Sequence, residues 1–407
     1  MEAERDEVDL EMFRKIGDAE ADADLERILA SLTEPELREF MPKLGRWEPT
    51  PKPGTERVVL APAVQAYIDR PFSLEPAAAA CILAAQQAYD GEHRPGGRVV
   101  LGAYSLPLLY LEPEISLTLA TTGRMMMHIR SRLEDTQSFL DGVMKPGSLV
   151  PGGDGQKWVR KIRLTHAAIR KLVREGGKSA DKRAFLESWL PGGAAPLWET
   201  RIEGPVEDRV PLDQVELALV LQTFAWVIVD GLEKMGWPMS DDEAENHIQA
   251  WSAIGALLGA DARLLPAGNP ALPAAKALFQ LIVDSLMQLG DPIGANASDK
   301  KDTWLSGRLL TSALLTVLTQ IAREHTPHRY HWLLQTFPRL DEALQQMPRV
   351  LIRRLLGKQV SRQLRIPRVG WFDQVVCWLG MKLIDPRSVA QHKPSGPSTP
   401  HAIGSLL

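Results

Sequence analysis

Trp158-Val159-Arg160-Lys161-Ile162-Arg163-Leu164-Thr165-His166-Ala167-Ala168-Ile169-Arg170-Lys171-Leu172-Val173 places apolar residues at 158, 159, 162, 169, 172 and 173. That spacing follows the i, i+3/i+4 rule and predicts an amphipathic helix over residues 155–175. His166 falls inside the apolar stripe, between Ile162 and Ile169, and Arg170 lies one turn further along the same face. The other basic residues, Lys157, Arg160, Lys161, Lys171 and Arg174, are expected mostly on other faces. Buried polar groups persist only where they are hydrogen-bonded or bind something.

About thirty residues earlier, Arg132-Leu133-Glu134-Asp135-Thr136 sets up the same conflict. Met125, Ile129, Phe139, Leu140 and Val143 form the apolar face of a helix predicted over 123–144, with His128, Arg132 and Thr136 at successive i+4 steps on or beside it. Gly147, Pro151, Gly152, Gly153 and Gly155 mark a short, flexible loop between the two helices, so the two polar blocks are expected to meet. Each polar residue has a bland use and a chemical one. His166 is either a core imidazole bonded to a carbonyl or a neutral axial ligand for haem iron. Arg170 needs an anion, and an Asp, a Glu or a haem propionate would serve. Arg132 and Thr136 make either an inter-helix ion pair with a back-bonded hydroxyl, or donors to iron-bound dioxygen, a peroxide or a ligand carboxylate.

The surrounding chain bounds the class. Alternating strand patterns and Asn-Gly hairpins are almost absent and helical periodicity runs throughout, so the 407 residues read as all-α. Residues 1–46 read as acidic N-terminal helices, 47–73 as a proline-rich connector, 74–385 as the main helical domain and 386–407 as a mobile tail. Within the main domain, helices are expected at 74–91, 101–121, 179–190, 211–236, 241–259, 270–289, 300–325, 328–336, 340–356 and 370–384. Ser240 and Glu243 form a capping box, and Gly236 ends the helix before it. The net charge of -4 gives no general case for nucleic acid. Cys81 and Cys377 have no disulfide, zinc or CxxC spacing and read as core thiols. The N-terminus lacks a signal-peptide pattern, and the apolar run Leu217–Val229 is too short to span a bilayer, which sets the cytoplasm as the expected compartment. His325, His328 and His331 have no carboxylate placed as in metal motifs beyond Glu324. The basic segment Arg353–Arg368 reads as a solvated face, with peripheral contact to an anionic membrane as its other use.

The order Thr122-Gly123-Arg124, Arg132-Leu133-x-x-Thr136, Gly152-Gly153-x-Gly155 and Arg163-Leu164-x-His166-Ala167-x-x-Arg170 resembles the latex clearing protein (rubber oxygenase) superfamily, which includes the MpaB-type oxygenases. Gln222-Thr223-Phe224, Glu233-Lys234-Met235-Gly236 and Trp251-Ser252-Ala253-Ile254-Gly255-Ala256-Leu257-Leu258-Gly259 extend the likeness, which spans roughly residues 95–290. The resemblance implies a globin-like multi-helix bundle around a pocket for non-covalent haem b, with extra helices at both ends. It implies His166 as the iron ligand, Arg132 and Thr136 as the residues needed near the haem, and Arg170 as a cofactor contact. A haem-dependent oxygenase acting with O2 on a hydrophobic, alkene-, isoprenoid- or lipid-like substrate follows from it. A haem-binding sensor or carrier without turnover is the alternative. Asp135 stands where rubber oxygenases with a closed resting state carry a distal lysine, and the family's glutamate base has no sure counterpart, although Glu112 and Glu114 lie nearby. Substrate identity and oligomeric state stay open at this level.

Overall fold

A computed structural model describes residues 9–51, 54–121, 124–175, 210–266, 268, 270–288, 305–324 and 345–370, and every regular element among them is helical. The acidic N-terminus forms α1 (Leu10–Phe13), α2 (Ala19–Ser31) and α3 (Glu34–Arg46), followed by α4 (Pro62–Asp69). Next come α5 (Pro76–Ala88), α6 (Arg94–Val100), α7 (Leu106–Leu109), α8 (Pro113–Thr121), α9 (Arg124–Val143) and α10 (Asp154–Glu175). The later elements are α11 (Gln214–Phe224), α12 (Trp226–Met235), α13 (Asp241–Leu257), α14 (Leu272–Gln288), α15 (Leu305–Glu324) and α16 (Met347–Gln363). The helices expected at 179–190, 328–336 and 370–384, along with Cys377 and the histidines at 325, 328 and 331, lie outside the described residues.

Three expected helices have different shapes in the structure, for local reasons. Residues 76–109 run as one helical path in which π turns at Tyr89–His93 and Leu101–Ser105 join α5, α6 and α7. Pro95 and Pro107 follow those turns; neither can donate the i→i−4 bond, and the widened turns absorb the missing donors. The stretch expected as one helix at 211–236 breaks at Ala225 (φ −89°, ψ −92°). The carbonyls released there have side-chain partners: Ser105 Oγ donates to Thr223 O at 2.7 Å, and His247 Nε2 lies 2.9 Å from Phe224 O. By length and composition Gln214–Met235 could cross a membrane, but most of it is buried inside the protein.

Helix α10 is the element around which the rest is arranged. It packs against α2, α3 and α4 on one side and α9 on the other. Trp158 and Val159 belong to the large core shared with α9, α11 and α13, whereas Leu164, Ala167, Ala168 and Leu172 belong to a second core with α2, α3 and α4. Of the basic residues expected mostly on other faces of α10, Arg160 and Lys161 are buried, as are Arg163 and, as its place on the apolar face implied, Arg170. Arg160 Nε donates to Arg70 O at 3.1 Å and its guanidinium lies 3.5 Å from the centroid of Phe72. Lys161 Nζ donates to Trp47 O at 2.6 Å and Gly45 O at 3.1 Å. Arg163 forks onto Asp18 at 2.6 and 2.9 Å and reaches Glu20 at 2.8 Å. Arg170 donates to Asp22 at 2.8 Å and Lys171 to Glu26 at 2.7 Å. The acids of α2 and its N-cap thus run as a ladder against the bases of α10.

Asp18 is the tightest joint in this ladder. It caps α2 by accepting from Ala21 N at 3.0 Å while holding Arg163. Gly259 (φ +85°) packs so closely that a Cβ there would collide with the Asp18 carboxylate. Both partners of the Asp18–Arg163 pair are nine-tenths buried, and removing one leaves an uncompensated interior charge, at a cost of roughly 3–5 kcal/mol. Asp18→Ala is therefore expected to lower the unfolding free energy by about 3 kcal/mol. Urea titration measures this, and a loss below about 1 kcal/mol, the range of surface pairs, contradicts the clamp.

Candidate functional site

The loop joining α9 to α10 is pinned, contrary to its expected flexibility. Gln86 Nε2 donates to Val143 O at 2.7 Å, and Gly147 N donates to Gln86 Oε1 at 2.9 Å. Gln156 Nε2 donates to Phe72 O and Leu149 O, each at 3.0 Å, while Gly152 N donates to Gln156 Oε1. Gly153 and Gly155 lie so close to Ser148 that a Cβ at either would meet it. Two buried amides therefore fix how α9 and α10 leave the loop, and the two polar blocks do come together: the charges of Arg132 and Arg170 both act on the His166 imidazole.

Burial, reinforced by Arg170 and then Arg132, holds His166 down at about 4, so its ring is neutral at pH 7. Asp18 pulls the other way, but less. No hydrogen bond joins this imidazole to any described residue, which separates it from the bland reading of a core histidine. His247 fits that reading instead: it is buried, bonded to Phe224 O and also held at about 4 by burial. His166 is desolvated enough for burial to dominate its titration, yet the residue keeps part of its surface accessible. That combination suits a ring lining an interior opening better than one filling a packed hole.

The other site residues divide by what they touch. Arg132 is half-buried and acts electrostatically on Tyr110 as well as His166; burial keeps the Tyr110 phenol protonated up to about 12. Thr136 Oγ1 donates to Arg132 O at 2.8 Å, the back-bond that was one of its two expected uses. Of the partners open to Arg170, the structure contains the carboxylate: Asp22 takes its Nε and the Asp18 carbonyl takes another N–H at 3.5 Å. Asp135 is exposed. Glu112 is buried and caps α8 by accepting from Ile115 N at 2.9 Å; burial raises its carboxyl although Arg14 opposes the shift. The side chains of Met125 and His128 lie outside the described residues.

Sequence reasoning missed the Asp18, Glu20 and Asp22 side of the assembly. The signal was available in the charge complementarity between Asp18–Glu26 and Arg160–Arg174. Two cavities, one between α3 and α4 and one between α15 and α16, contain none of the four candidate residues. Among the described residues no group of three or more His, Cys, Asp or Glu could hold a bare metal ion. A single neutral imidazole fits iron whose other ligands come from a macrocycle, so His166 fits a haem ligand in chemistry and protonation.

A family model described as "ER-bound oxygenase mpaB/B'/Rubber oxygenase, catalytic domain" matches residues 94–385. No curated protein matches the chain. A solved structure described as "Structure of Latex Clearing Protein LCP in the closed state" is similar, with 17% identity, a TM-score of 0.61, and coverage of 97% of this chain and 89% of that one. At that identity the likeness is one of fold, and the all-α architecture is shared. The family match begins at Arg94, so the helices carrying Asp18 and Asp22 precede it.

The folded-state value of about 4 lies below the ordinary 6.5, so His166 on its own makes folding less favourable as pH falls from about 6.5 to 4. Asp213, raised to about 7 by burial, shifts the balance the opposite way between about 7 and 3.8, so bulk stability does not isolate the histidine. Ring-resolved NMR of the cofactor-free protein does. His166 is expected to titrate near 4 and to move upward in Arg132→Gln, which removes a repelling cation. Titration near 6.5 with no response to Arg132→Gln contradicts the site geometry.

Proposed function

Because the chain belongs to the family of MpaB and rubber oxygenase catalytic domains, and is thereby an oxygenase, we propose that it is a haem b-dependent one, with His166 as the iron ligand and a hydrophobic unsaturated molecule as substrate. The observation that carries this reading is the neutral, unbonded imidazole of His166, set between arginines on the helix that anchors both cores. Bound haem supplies the redox chemistry by which dioxygen is activated.

The chain's own residues do the rest. His166 offers a lone pair at physiological pH because burial and two cations keep protons off it. The Asp18–Arg163 and Asp22–Arg170 pairs sit on both sides of it along α10 and fix the rotation of the helix, hence the direction of the ring. Arg132 contributes a positive charge in a poorly hydrated wall, where it stabilises an oxygen-centred anion or a cofactor carboxylate more strongly than it would in water. Thr136 ties down the backbone under Arg132 and keeps its oxygen lone pairs available as acceptors. Since Arg170 is paired with Asp22, its part is to brace the helix and keep His166 neutral, and an N–H not used in that pairing would be its means of holding a cofactor carboxylate. Ile129 and Leu133 on α9 and Ile162 on α10 make the neighbourhood of these groups apolar, the environment in which a hydrocarbon chain would be aligned.

Haemin titration of the purified protein tests the reading. The wild type is expected to give a one-to-one complex with a Soret band and to consume oxygen with an unsaturated lipid or isoprenoid. His166→Ala should lose the native spectrum, and Arg132→Ala should lower turnover by about a hundredfold. A folded wild type that stays colourless with haemin, or a His166→Ala spectrum identical to wild type, refutes the assignment.

A further inference from the structure

Arg14, directly after α1, is 1% exposed and is flanked by two acids as deeply buried, Glu112 at the N-cap of α8 and Asp213 at the N-cap of α11. Backbone bonds bring these segments together: Val210 N donates to Arg14 O and Gln214 N to Ile16 O, both at 3.0 Å, while Gln214 Nε2 donates to Gly17 O. Arg14 Nη1 donates to Glu112 Oε1 over a long 3.4 Å, its Nε lies 3.3 Å from Glu11 Oε1, and its Nη2 is buried without an acceptor. Asp213 is held by N–H groups of α11, with Glu216 N donating at 2.8 Å. Among the described residues no cation is bonded to it; Arg14 reaches it only through space.

Fully ionised, this cluster sets two carboxylates and one guanidinium in an interior that desolvates all three. Two carboxyls sharing one site do not both stay charged at low cost, so one proton settles on the pair and leaves it neutral with Arg14. Burial raises both acids and Arg14 opposes the shift at each; the charge of Glu112 adds to the rise at Asp213, which reaches about 7. The neighbouring charged groups do not supply the missing cation. Glu114 adds negative charge at Glu112, Glu11 is exposed, and Glu216 accepts from Asp213 N and has a further partner. Lys15 is exposed with a partner of its own, and Arg263, 4.5 Å from the Phe13 centroid, is paired with Asp261.

We infer that Glu112 and Asp213 share one proton beside Arg14, and that this proton latches the N-terminal segment onto α8 and α11. With the proton in place the seat is electrically neutral. Once it leaves, an uncompensated negative charge is buried beside Arg14 and the segment loosens. The folded chain keeps a proton that an unfolded aspartate releases near 3.8, so this contribution to stability falls as pH rises from about 3.8 and is gone above about 7. Asp18 lies four residues beyond Arg14 and clamps Arg163, so the latch also sets how firmly the His166 helix is held at alkaline pH. The inference does not depend on the haem assignment.

Hydrogen exchange of the full chain at about pH 6 and about pH 8.5, corrected for the intrinsic pH dependence, reads the latch at the amides of Val210 and Gln214. Their protection is expected to fall at least about tenfold between the two conditions, while the amides of α5, the reference for global opening, hold theirs. Asp213→Asn keeps a capping side chain and is uncharged throughout, so its protection should stay level and exceed that of the wild type at the higher pH. Glu112→Gln should flatten the response in the same way, and keeps the test decisive if the first variant folds poorly. Infrared difference spectra between the two conditions should show one buried carboxylic-acid carbonyl lost in the wild type and none in either variant. The latch is overturned if the wild type loses neither protection nor that carbonyl, if the fall persists in either folded variant, or if α5 opens as much as Val210 and Gln214.

Discussion

The ion pair between Asp18 and Arg163 is the constraint on which the arrangement turns. An arginine on the inner side of α10 could not be buried without an anion, and the anion comes from a segment 145 positions away in sequence. Once Asp18 is in place it caps α2, orients the acids that follow it toward Arg170 and Lys171, and packs against the αL turn at Gly259. Gln214 closes the same junction by donating to Gly17 O at 3.1 Å and Gly259 O at 3.0 Å. The N-terminal helices, the His166 helix and the end of α13 are thus joined at one polar node inside an otherwise apolar interior.

That node has an electrostatic consequence for the site. Arg163 and Arg170 lie three residues before and four after His166, so both ends of the turn that carries the imidazole are held by α2 and its cap. Both arginines are compensated, yet the balance at His166 still favours the neutral ring, because desolvation outweighs everything else and Arg132 adds to it from α9. The apparatus that fixes the helix and the apparatus that keeps its histidine a base are therefore the same residues. The family match begins after the N-terminal helices, so a site placed inside the oxygenase domain is braced from outside it.

Much of this was legible in the residues, and the parts that were not have a common cause. Helical periodicity located α9 and α10 to within a residue, and the capping box at Ser240 and the αL end at Gly236 appear where local chemistry put them. The conflict of His166, Arg132 and Thr136 with their apolar stripes pointed to one place because it reflects local pattern. Long-range pairing does not show in periodicity. The burial of Arg160, Lys161 and Arg163 could not be read from the sequence because their carbonyl and carboxylate partners lie in distant segments. The break at Ala225 escaped notice for the same reason: Ser105 and His247 stabilise it from elsewhere. Glycine density suggested a flexible loop before α10, whereas Gln86 and Gln156 hold it by bonds that no local rule anticipates.

Whether a buried cation is structural or functional is decided by what neutralises it. The bases of α10 are each met by a carboxylate, a carbonyl or an aromatic face, with Arg160 Nη1 alone among their buried nitrogens left without an acceptor, so they largely account for the fold. His166 differs from them in that its whole imidazole has no bonded partner among the described residues. Interior polar groups left unpaired cost free energy on folding, so they persist where a ligand completes them. By that criterion the His166 imidazole is a group that the described residues do not complete, and it is the one on which the proposed cofactor assignment rests.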